Sequence, residues 1–412
     1  MNLMDHEEKS DYLSEVPGAE EQASPLPSPF WKIHSAQTSI ENASPVQAQP
    51  EQAPLDLLNR ARREMAKRIV GQSEMVDGLL TALIAGGHIL LEGVPGLAKT
   101  LAVKSLAEIT GLVFKRIQFT PDLLPADLTG TLVWEQATAS FSMRRGPVFA
   151  NVVLADEINR APAKVQSALL EAMEEHQVTI GEKSYQLPYP FFVLATQNPI
   201  EHEGTYALPE AELDRFLLKL LVRYPDQEDE LRILNLAAPL GANSEPATES
   251  RMGFARRFTD SFPLESVPGT GHSGAPLKYV LGSEALQILR RAADSVFVDE
   301  QIQRYIVSVV AASRPAHSRQ IPGTEGLRQG RPREGIYRYI AFGASPRATL
   351  ALHRCAKIRA LIEGRTFVSP EDVKAAAFPV LRHRLVLSYE AEADGLEPDT
   401  VISRILTLVP MP

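Results

Sequence analysis

The sequence predicts an α/β fold with buried parallel strands, followed by a helical region. Two short apolar runs, Ile89–Leu91 and Val152–Ala155, have the continuous hydrophobicity of strands that are covered on both faces. The first run leads through a glycine-rich turn into a helical pattern, and the second ends in two carboxylates. From Ser283 onward the apolar residues recur at helical spacing. Together these features indicate an open α/β sheet with a helical carboxyl-terminal part.

The segment Gly93–Thr100, GVPGLAKT, has the layout of a phosphate-binding loop. Its glycines let backbone N–H groups turn inward around phosphate oxygens, and the following helix adds its positive end. Lys99 supplies a mobile charge for the β- and γ-phosphates, and Thr100 supplies a hydroxyl for Mg²⁺. A plain Gly/Pro turn between a strand and a helix is the alternative. We expect nucleotide contacts from Gly93, Val94, Pro95, Gly96, Leu97, Ala98, Lys99 and Thr100.

Ala98 departs from the usual form of this loop, because glycine is typical before the lysine. An alanine tolerates helical or extended backbone. We therefore expect Gly96, rather than Ala98, to adopt any left-handed conformation that the loop requires.

Two helices are predicted ahead of the first strand, over Leu55–Ile69 and Glu74–Ile84. Gly71 and Gln72 lie between these helices, shortly before the phosphate loop. This position fits contacts to an adenine base. A glycine that simply interrupts the helical pattern explains the same residues equally well.

Asp156 and Glu157 follow the second apolar run directly. Open α/β sheets place their ligands at the carboxyl ends of strands, so these carboxylates are expected beside the phosphate loop. Asp156 would hold Mg²⁺ or its waters, and Glu157 would orient and deprotonate the attacking water. A solvated strand end is the alternative, and the preceding phosphate loop argues against it.

The remaining elements of the first domain follow from short apolar and turn patterns. Asn198 ends the strand that begins at Phe191, where its side chain could bind the γ-phosphate or the water; an Asn-Pro turn is the alternative. The elements predicted are strands over Val113–Phe119, Phe191–Asn198 and Leu217–Val222, a helix over Ala163–Glu175, and hairpins over residues 131–143 and 176–185.

Two arginines, Arg215 and Arg347, are candidates for binding a phosphate or another anion. Arg215 precedes a strand, where it is either a surface charge or a residue that acts on a neighbouring subunit's phosphate. Arg347 lies in the first turn of a helix that Ser345 caps and Pro346 begins. The helix dipole opposes a cation there, so we expect Arg347 to meet an anion.

Composition and charge restrict the function classes. The single cysteine, Cys355, excludes a disulfide framework and a cysteine-based metal site, which favours a reducing compartment. The amino terminus lacks an apolar leader, and no apolar run approaches the ~18 residues of a membrane span. We therefore expect a cytoplasmic location without membrane insertion. A net charge of −9 argues against nucleic acid as the main partner, because neutralising phosphates requires a basic surface.

The composition also predicts the domain organisation. Residues 1–54 are poor in apolar side chains and are expected to form a disordered acidic Pro/Ser-rich tail. Residues 55–237 form the α/β domain, residues 238–280 a linker, and residues 281–412 the helical domain. The roles of the tail and of the Gly/Pro/Arg-rich loop over 317–336 are open.

The combined motifs resemble the MoxR family of AAA+ ATPases. The resemblance covers residue 55 to the end, apart from the Gly/Pro-rich linker over 238–280 and the Gly/Pro/Arg-rich loop over 317–336. Ala98 before the lysine is the family's own form of the phosphate loop. The magnesium-chelatase ATPase subunit is also similar, but Ala98 and the segment SYEAEADG favour MoxR. The motifs are GVPGLAKT, VVLADEINRAP, ATQNP, LPEAELDRF, GASPRATLAL and VLRHRLVLSYEAEADG.

The resemblance implies a parallel αβα domain with inserted β-hairpins, a helical lid and a hexameric ring. It implies that Asn198 is sensor 1, Arg215 the arginine finger and Arg347 sensor 2. Arg160 is a second candidate for the arginine that acts between subunits. The hairpins resemble inserts that face the pore or the top of the ring.

The function expected from these residues is Mg²⁺-dependent ATP hydrolysis that remodels or activates client proteins. By resemblance, the clients would contain von Willebrand factor A domains, and the ATPase would assist loading of their metal sites. A motor stimulated by nucleic acid is one alternative, which the acidic charge disfavours. A nucleotide-gated scaffold without turnover is another, which the intact Lys99, Asp156, Glu157 and Asn198 disfavour.

Overall fold

The computed structural model of the chain describes residues 53–94, 96–198, 205–237, 276–315 and 335–412. Several predictions lie wholly or largely outside these residues: Pro95, the tail over 1–54, the linker over 238–280 and the loop over 317–336. The domain boundaries stay predictions.

The described residues form strands and helices in an alternating order, with the helices concentrated toward the carboxyl end. The strands are β1 (Ile89–Gly93), β2 (Phe114–Gln118), β3 (Gly130–Glu135), β4 (Ser140–Arg145), β5 (Val152–Asp156), β6 (Gln177–Ile180), β7 (Lys183–Gln186), β8 (Phe192–Gln197), β9 (Leu218–Val222), β10 (Ile340–Phe342) and β11 (Val386–Leu387). The helices are α1 (Pro54–Ala66), α2 (Ser73–Ala85), α3 (Lys99–Thr110), α4 (Pro125–Thr129), α5 (Ala163–Glu175), α6 (Glu210–Leu213), α7 (Gln227–Ala237), α8 (Ser283–Ser295), α9 (Glu300–Ala312), α10 (Pro346–Ile362), α11 (Pro370–Leu381), α12 (Tyr389–Ala393) and α13 (Pro398–Leu408).

The central sheet consists of five parallel strands in the order β2-β5-β8-β1-β9. β1 lies between β8 and β9, with Glu92 opposite Gln197 and Gly93 opposite Val222. Because the strands run in the same direction, their carboxyl ends share one edge. The segments that follow β1, β5 and β8 therefore meet there.

Both faces of this sheet are buried, as the continuous apolar runs predict. Side chains alternate between the faces, and in β1 Ile89 and Leu91 pack into one hydrophobic cluster while Leu90 packs into another. The first cluster also contains Leu352 of α10 and Val373 of α11. The carboxyl-terminal helices, from here on called the lid, therefore share a core with the sheet.

Two antiparallel hairpins lie outside the central sheet, as predicted. β3 pairs with β4, and β6 pairs with β7. Trp134 and Phe141 are 51% and 66% exposed on the first hairpin, with ring centroids 5.0 Å apart. Leu132 of this hairpin packs against the turn of the second one at Gly181. The two hairpins therefore form one contiguous surface.

The predicted start of α10 at Pro346 is confirmed. The Ser345 hydroxyl accepts the Arg347 N–H at 3.1 Å and caps α10. Ser369 caps α11 together with Asp372, whose carboxylate also accepts two bonds of 2.6 Å from Arg365. Among the helices that the structure describes, none has the length and apolar character needed to cross a bilayer.

Candidate active site

The phosphate loop joins the carboxyl end of β1 to the amino end of α3. Gly93 ends the strand beside β9, and a Cβ at Gly93 would lie 2.6 Å from the carbonyl oxygen of Val222. Glycine is therefore required by the close approach of the two backbones. Helix α3 begins at Lys99, and its first turn offers unbonded N–H groups and a positive end to the loop.

Lys99 lies folded against the loop. Its Nζ donates to the carbonyl oxygen of Gly93 at 2.6 Å. Burial lowers the pKa of Lys99, and the nearby carboxylates of Asp156 and Glu157 oppose this decrease. An anion bound at the loop would stabilise the charged ammonium further, so the side chain is suited to a phosphate.

The backbone of Ala98 corrects the sequence expectation. Gly96 is left-handed, as expected, with φ of +87°. Ala98 is left-handed as well, with φ of 55° and ψ of 16°. The loop reverses direction at both residues before the helix begins, and the Ala98 carbonyl then accepts the Ala102 N–H at 2.9 Å. A left-handed conformation costs a residue with a Cβ about 1–2 kcal/mol, so Ala98 is held under strain.

Gly71 and Gln72 lie at the same edge of the sheet as the phosphate loop. The Gln72 side chain donates to the carbonyl of Arg223 at 2.8 Å, and Arg223 follows the end of β9. Gly71 is left-handed, and a Cβ there would lie 2.5 Å from the carboxylate of Asp229. The structure thus brings the two predicted adenine-contact residues to the nucleotide side of the sheet.

Asp156 and Glu157 are fixed by a threonine of the neighbouring strand. The Thr196 hydroxyl donates to Asp156 Oδ1 at 2.6 Å and accepts the Glu157 N–H at 2.9 Å. Glu157 is left-handed, with φ of 55° and ψ of 50°. Such a conformation costs about 1–3 kcal/mol and is frequent at active sites. Asn198 follows β8 at this edge and is 7% exposed.

Arg116 and Gln118 of β2 contact the two carboxylates, and sequence reasoning missed both residues. Arg116 donates to Asp156 Oδ2 at 2.6 Å and 3.1 Å, through Nη2 and Nε. Gln118 donates to Glu157 Oε2 at 2.7 Å. The signal that could have found them is their spacing of two, which places both side chains on one face of a strand.

Arg215 and Arg347 meet at a single carboxylate. Arg215 Nε donates to Glu174 Oε2 at 2.7 Å, and Arg347 Nη2 donates to Glu174 Oε1. Glu174 lies near the end of α5, and Arg347 comes from the lid. The anion expected near Arg347 is therefore present in the structure as Glu174.

These two arginines lie at the opposite edge of the sheet from the phosphate loop. Leu217, two residues after Arg215, donates its N–H to the His88 carbonyl at the amino end of β1. Gly87, Glu174 and both arginines line one cavity at this edge. β1 rises about 3.3 Å per residue, so roughly 15 Å separates its two ends. The structure does not bring Arg215 or Arg347 to their own subunit's loop.

Arg160 occupies a different place from Arg215. Its Nε lies 3.2 Å from Glu157 Oε2, on the nucleotide side of the same subunit. The two candidates for the arginine that acts between subunits thus face opposite edges of the sheet.

The lid holds the segment that carries Arg215. Arg384 is 7% exposed and donates to Asp214 Oδ1 at 2.7 Å and to the Phe216 carbonyl at 2.6 Å. Ser345 donates to Asp214 Oδ2 at 2.7 Å. The buried His383 donates to the Phe216 carbonyl at 2.9 Å. Among these lid residues, the sequence predicted a contact only for Ser345, as a helix cap. The contacts of Arg384 and His383 were not predicted.

Family models match both parts of the chain. Residues 88–218 match the ATPase family associated with various cellular activities (AAA), and residues 336–405 match the AAA lid domain. A crystal structure of a Cytophaga hutchinsonii protein assigned as an ATPase has a TM-score of 0.71 and 41% sequence identity. The match covers 88% of this chain and 98% of that one. The expected α/β nucleotide-binding fold with a helical lid is confirmed.

Relatives match over most of their length. The chain is 44% identical to Chaperone MoxR1 of Mycobacterium tuberculosis, over 92% of this chain and 88% of the relative. It is 31% identical to Protein MoxR of Methylorubrum extorquens, over 87% of this chain and 96% of the relative. The phosphate loop, the Asp-Glu strand end and the lid therefore occur in a chain that belongs to the MoxR family of AAA+ ATPases.

Proposed function

We propose that this protein is a Mg²⁺-dependent ATPase that converts ATP to ADP and phosphate and remodels or activates client proteins. The observation that carries the proposal is the meeting of three strand ends at one edge of the sheet. The phosphate loop follows β1, Asp156 and Glu157 end β5, and Asn198 follows β8. Phosphoryl transfer requires positioning and charge stabilisation, and these are the groups that supply them.

Each residue has a role that its chemistry suits. Lys99 and the backbone N–H groups of the loop bind the phosphates. Glu157 accepts a proton from the attacking water, and the amide of Asn198 orients that water. Gly71 and Gln72 contact the adenine side of the nucleotide.

Thr100 and Asp156 fit a magnesium site. A hydroxyl and a carboxylate are hard oxygen donors, and Mg²⁺ at nucleotide sites is held by one or two carboxylates together with substrate phosphates. Thr196 fixes the orientation of the Asp156 carboxylate through Oδ1. When bound, Mg²⁺ would neutralise charge that develops on the phosphates.

A ring of subunits completes the site. Arg215 and Arg347 lie at the edge of the sheet opposite to their own phosphate loop, which supports a role for both on an ATP bound by another subunit. A closed ring, a hexamer by family resemblance, would place this edge against the neighbour's nucleotide site. Removal of Arg215 is expected to lower turnover on the order of 10³-fold. Arg160, beside its own Glu157, remains the alternative for this role.

The experiment that tests the proposal compares Glu157→Gln with the unchanged protein. Glu157→Gln keeps the side-chain shape but removes the base, so ATP should bind while phosphate release nearly stops. Omission of Mg²⁺ should also stop phosphate release in the unchanged protein. Glu182→Gln, in the exposed turn of the second hairpin, is the matched control and should hydrolyse ATP normally. Normal hydrolysis by Glu157→Gln would refute the assignment of the base.

The second part of the proposal is that the protein acts as a chaperone on client proteins. The name of the M. tuberculosis relative, Chaperone MoxR1, supports it. We expect clients with von Willebrand factor A domains, whose metal sites would be loaded or exposed. Glu157→Gln, held in the ATP state, should retain clients during purification. Mass spectrometry of the retained proteins, with Lys99→Ala as the control that cannot bind ATP, would identify them.

A further inference from the structure

Glu174 is the point where the α/β domain and the lid present their arginines together. Arg215 precedes β9 of the sheet, whereas Arg347 stands in the first turn of α10. Both donate to the same carboxylate, one to each oxygen. Two guanidinium groups that contact the same carboxylate are close enough to repel each other, and the negative charge of Glu174 offsets that repulsion.

The mode of contact leaves both arginines able to bind a phosphate. Arg215 uses Nε toward Glu174, and its guanidinium carries two further nitrogens at the outer end. Arg347 donates to Glu174 through Nη2, and its guanidinium carries two nitrogens besides this one. A carboxylate that engages part of a guanidinium fixes its plane and direction, because the donors form a rigid fork.

Glu174 also offsets an unfavourable position of Arg347. A cation in the first turn of a helix is opposed by the helix dipole, and a carboxylate opposite the side chain compensates for this. The interaction is mutual, since the hydrogen bond from Arg215, with the charge of Arg347, holds the pKa of Glu174 below its usual range. Glu174 is therefore ionised at neutral pH and able to hold both cations.

We propose that Glu174 is a positioning residue, which holds Arg215 and Arg347 side by side for the ATP bound by the neighbouring subunit. This inference rests on the proposed function, because it requires both arginines to act between subunits. Glu174 lies at the edge of the sheet away from its own phosphate loop and would act only through the arginines. Loss of its charge should lower the neighbour's turnover and leave the nucleotide affinity of its own subunit unchanged.

Mixed rings test this directly. Lys99→Ala subunits cannot bind ATP but supply the arginines, and Arg215→Ala subunits bind ATP but supply no finger. Each variant alone should be inactive, and a mixture should regain phosphate release. Glu174→Gln added to the Lys99→Ala subunit should lower kcat of the mixture about ten- to a hundredfold with KM for ATP unchanged. The same change in the Arg215→Ala subunit should have far less effect.

The controls separate this inference from the proposed function. Glu171→Gln removes the same charge one turn earlier on α5 and should leave the mixture active; Glu174→Asp should retain part of the rate. An unchanged kcat for Glu174→Gln in the Lys99→Ala subunit, or an equal loss in either subunit, overturns the positioning role alone. Failure of the mixture to regain activity refutes the action of arginines between subunits, and the role of Glu174 falls with it.

Discussion

Arg384 of the lid and Asp214 of the α/β domain form a buried ion pair beside Arg215. Arg384 Nε donates to Asp214 Oδ1 at 2.7 Å, and the guanidinium also donates to the Phe216 and Leu217 carbonyls. The Arg384 side chain is 3% exposed. Because Arg215 follows Asp214 directly, one buried network connects the lid to the arginine that is proposed to act on the neighbouring subunit.

The first prediction concerns the stability of this network. Asp214→Ala removes the carboxylate and leaves the charge of Arg384 buried without its acidic partner. Burial lowers the pKa of Arg384, and the hydrogen bond from Arg384 to Asp214 opposes this decrease. Breaking one side of a buried ion pair costs about 3–5 kcal/mol. Urea unfolding of Asp214→Ala should show a loss of this size.

An exposed pair serves as the control for that measurement. Arg304 and Glu300 lie one turn apart on α9, with their side chains 77% and 73% exposed. Glu300→Ala should lower stability by about 0.3–0.5 kcal/mol. Equal effects of Asp214→Ala and Glu300→Ala would mean that burial adds nothing to the Arg384 interaction.

The second prediction concerns the strain at Ala98. Ala98→Gly removes the Cβ that opposes the left-handed conformation, which costs about 1–2 kcal/mol, although glycine also adds entropy to the unfolded chain. The net result should be a gain of up to about 1 kcal/mol, with ATP binding retained. Ala98→Val should instead lower both stability and ATP affinity. Denaturant unfolding and nucleotide titration measure the two quantities.

An alanine-to-glycine substitution within an ordinary helix should change the free energy of unfolding in the opposite direction. Ala292 lies within α8 and is partly buried. Ala292→Gly should destabilise the protein by about 1 kcal/mol. A loss of stability for Ala98→Gly comparable to that of Ala292→Gly would contradict the left-handed conformation of Ala98.

Sequence reasoning located the parts of the site that depend on neighbouring residues in the chain. The phosphate loop is contiguous, and the Asp156–Glu157 pair ends a single apolar run, so local pattern suffices for both. The cap at Ser345 is local as well and is confirmed.

Contacts between distant residues could not be predicted in this way. Arg215 and Arg347 lie 41 and 173 positions from Glu174, and nothing in either segment indicates the shared carboxylate. Arg116 meets Asp156 only because β2 and β5 are neighbours in the sheet, with Gln118 opposite Asp156. The backbone of Ala98 was predicted wrongly because residue preference was weighed without the loop geometry that overrides it.

The third prediction is a pH dependence from His88. Its Nε2–H donates to the Met173 carbonyl at 3.1 Å, and its Nδ1 accepts the Val193 N–H at 3.0 Å. A second proton, on Nδ1, would point at the Val193 N–H and break this hydrogen bond. Burial lowers the pKa of His88 to about 4, from an ordinary value of 6.5. Below pH 6.5 the unfolded chain binds a proton that the folded protein excludes, so stability falls until about pH 4, by about 3 kcal/mol.

A His88→Asn variant isolates this contribution. The amide keeps a donor and an acceptor, but it is smaller than the imidazole and does not titrate. The variant should therefore be less stable than the unchanged protein at pH 7, and its stability should lack the pH dependence that His88 contributes. Unfolding measured in urea from pH 7 to pH 4 should show this difference shrinking as the pH falls. A constant difference would show that His88 does not account for the loss.

The fourth prediction concerns competition between Arg116 and Mg²⁺ for Asp156. Arg116 donates twice to Asp156 Oδ2, and its own side chain is 47% exposed. A cation bound to this carboxylate opposes the approach of a second one. An exposed ion pair is worth about 0.2–1 kcal/mol, so Arg116→Gln should lower the Mg²⁺ concentration at half-maximal ATP hydrolysis by up to about fivefold.

Lys115→Gln provides a matched control, because it removes the same charge from the same strand. Lys115 precedes Arg116 in β2, so its side chain points to the other face of the sheet, away from Asp156. Its half-maximal Mg²⁺ concentration should therefore stay close to that of the unchanged protein. If Arg116→Gln requires as much Mg²⁺ as Lys115→Gln, or more, then Arg116 does not compete with the metal, and its bond to Asp156 instead orients the carboxylate toward Mg²⁺.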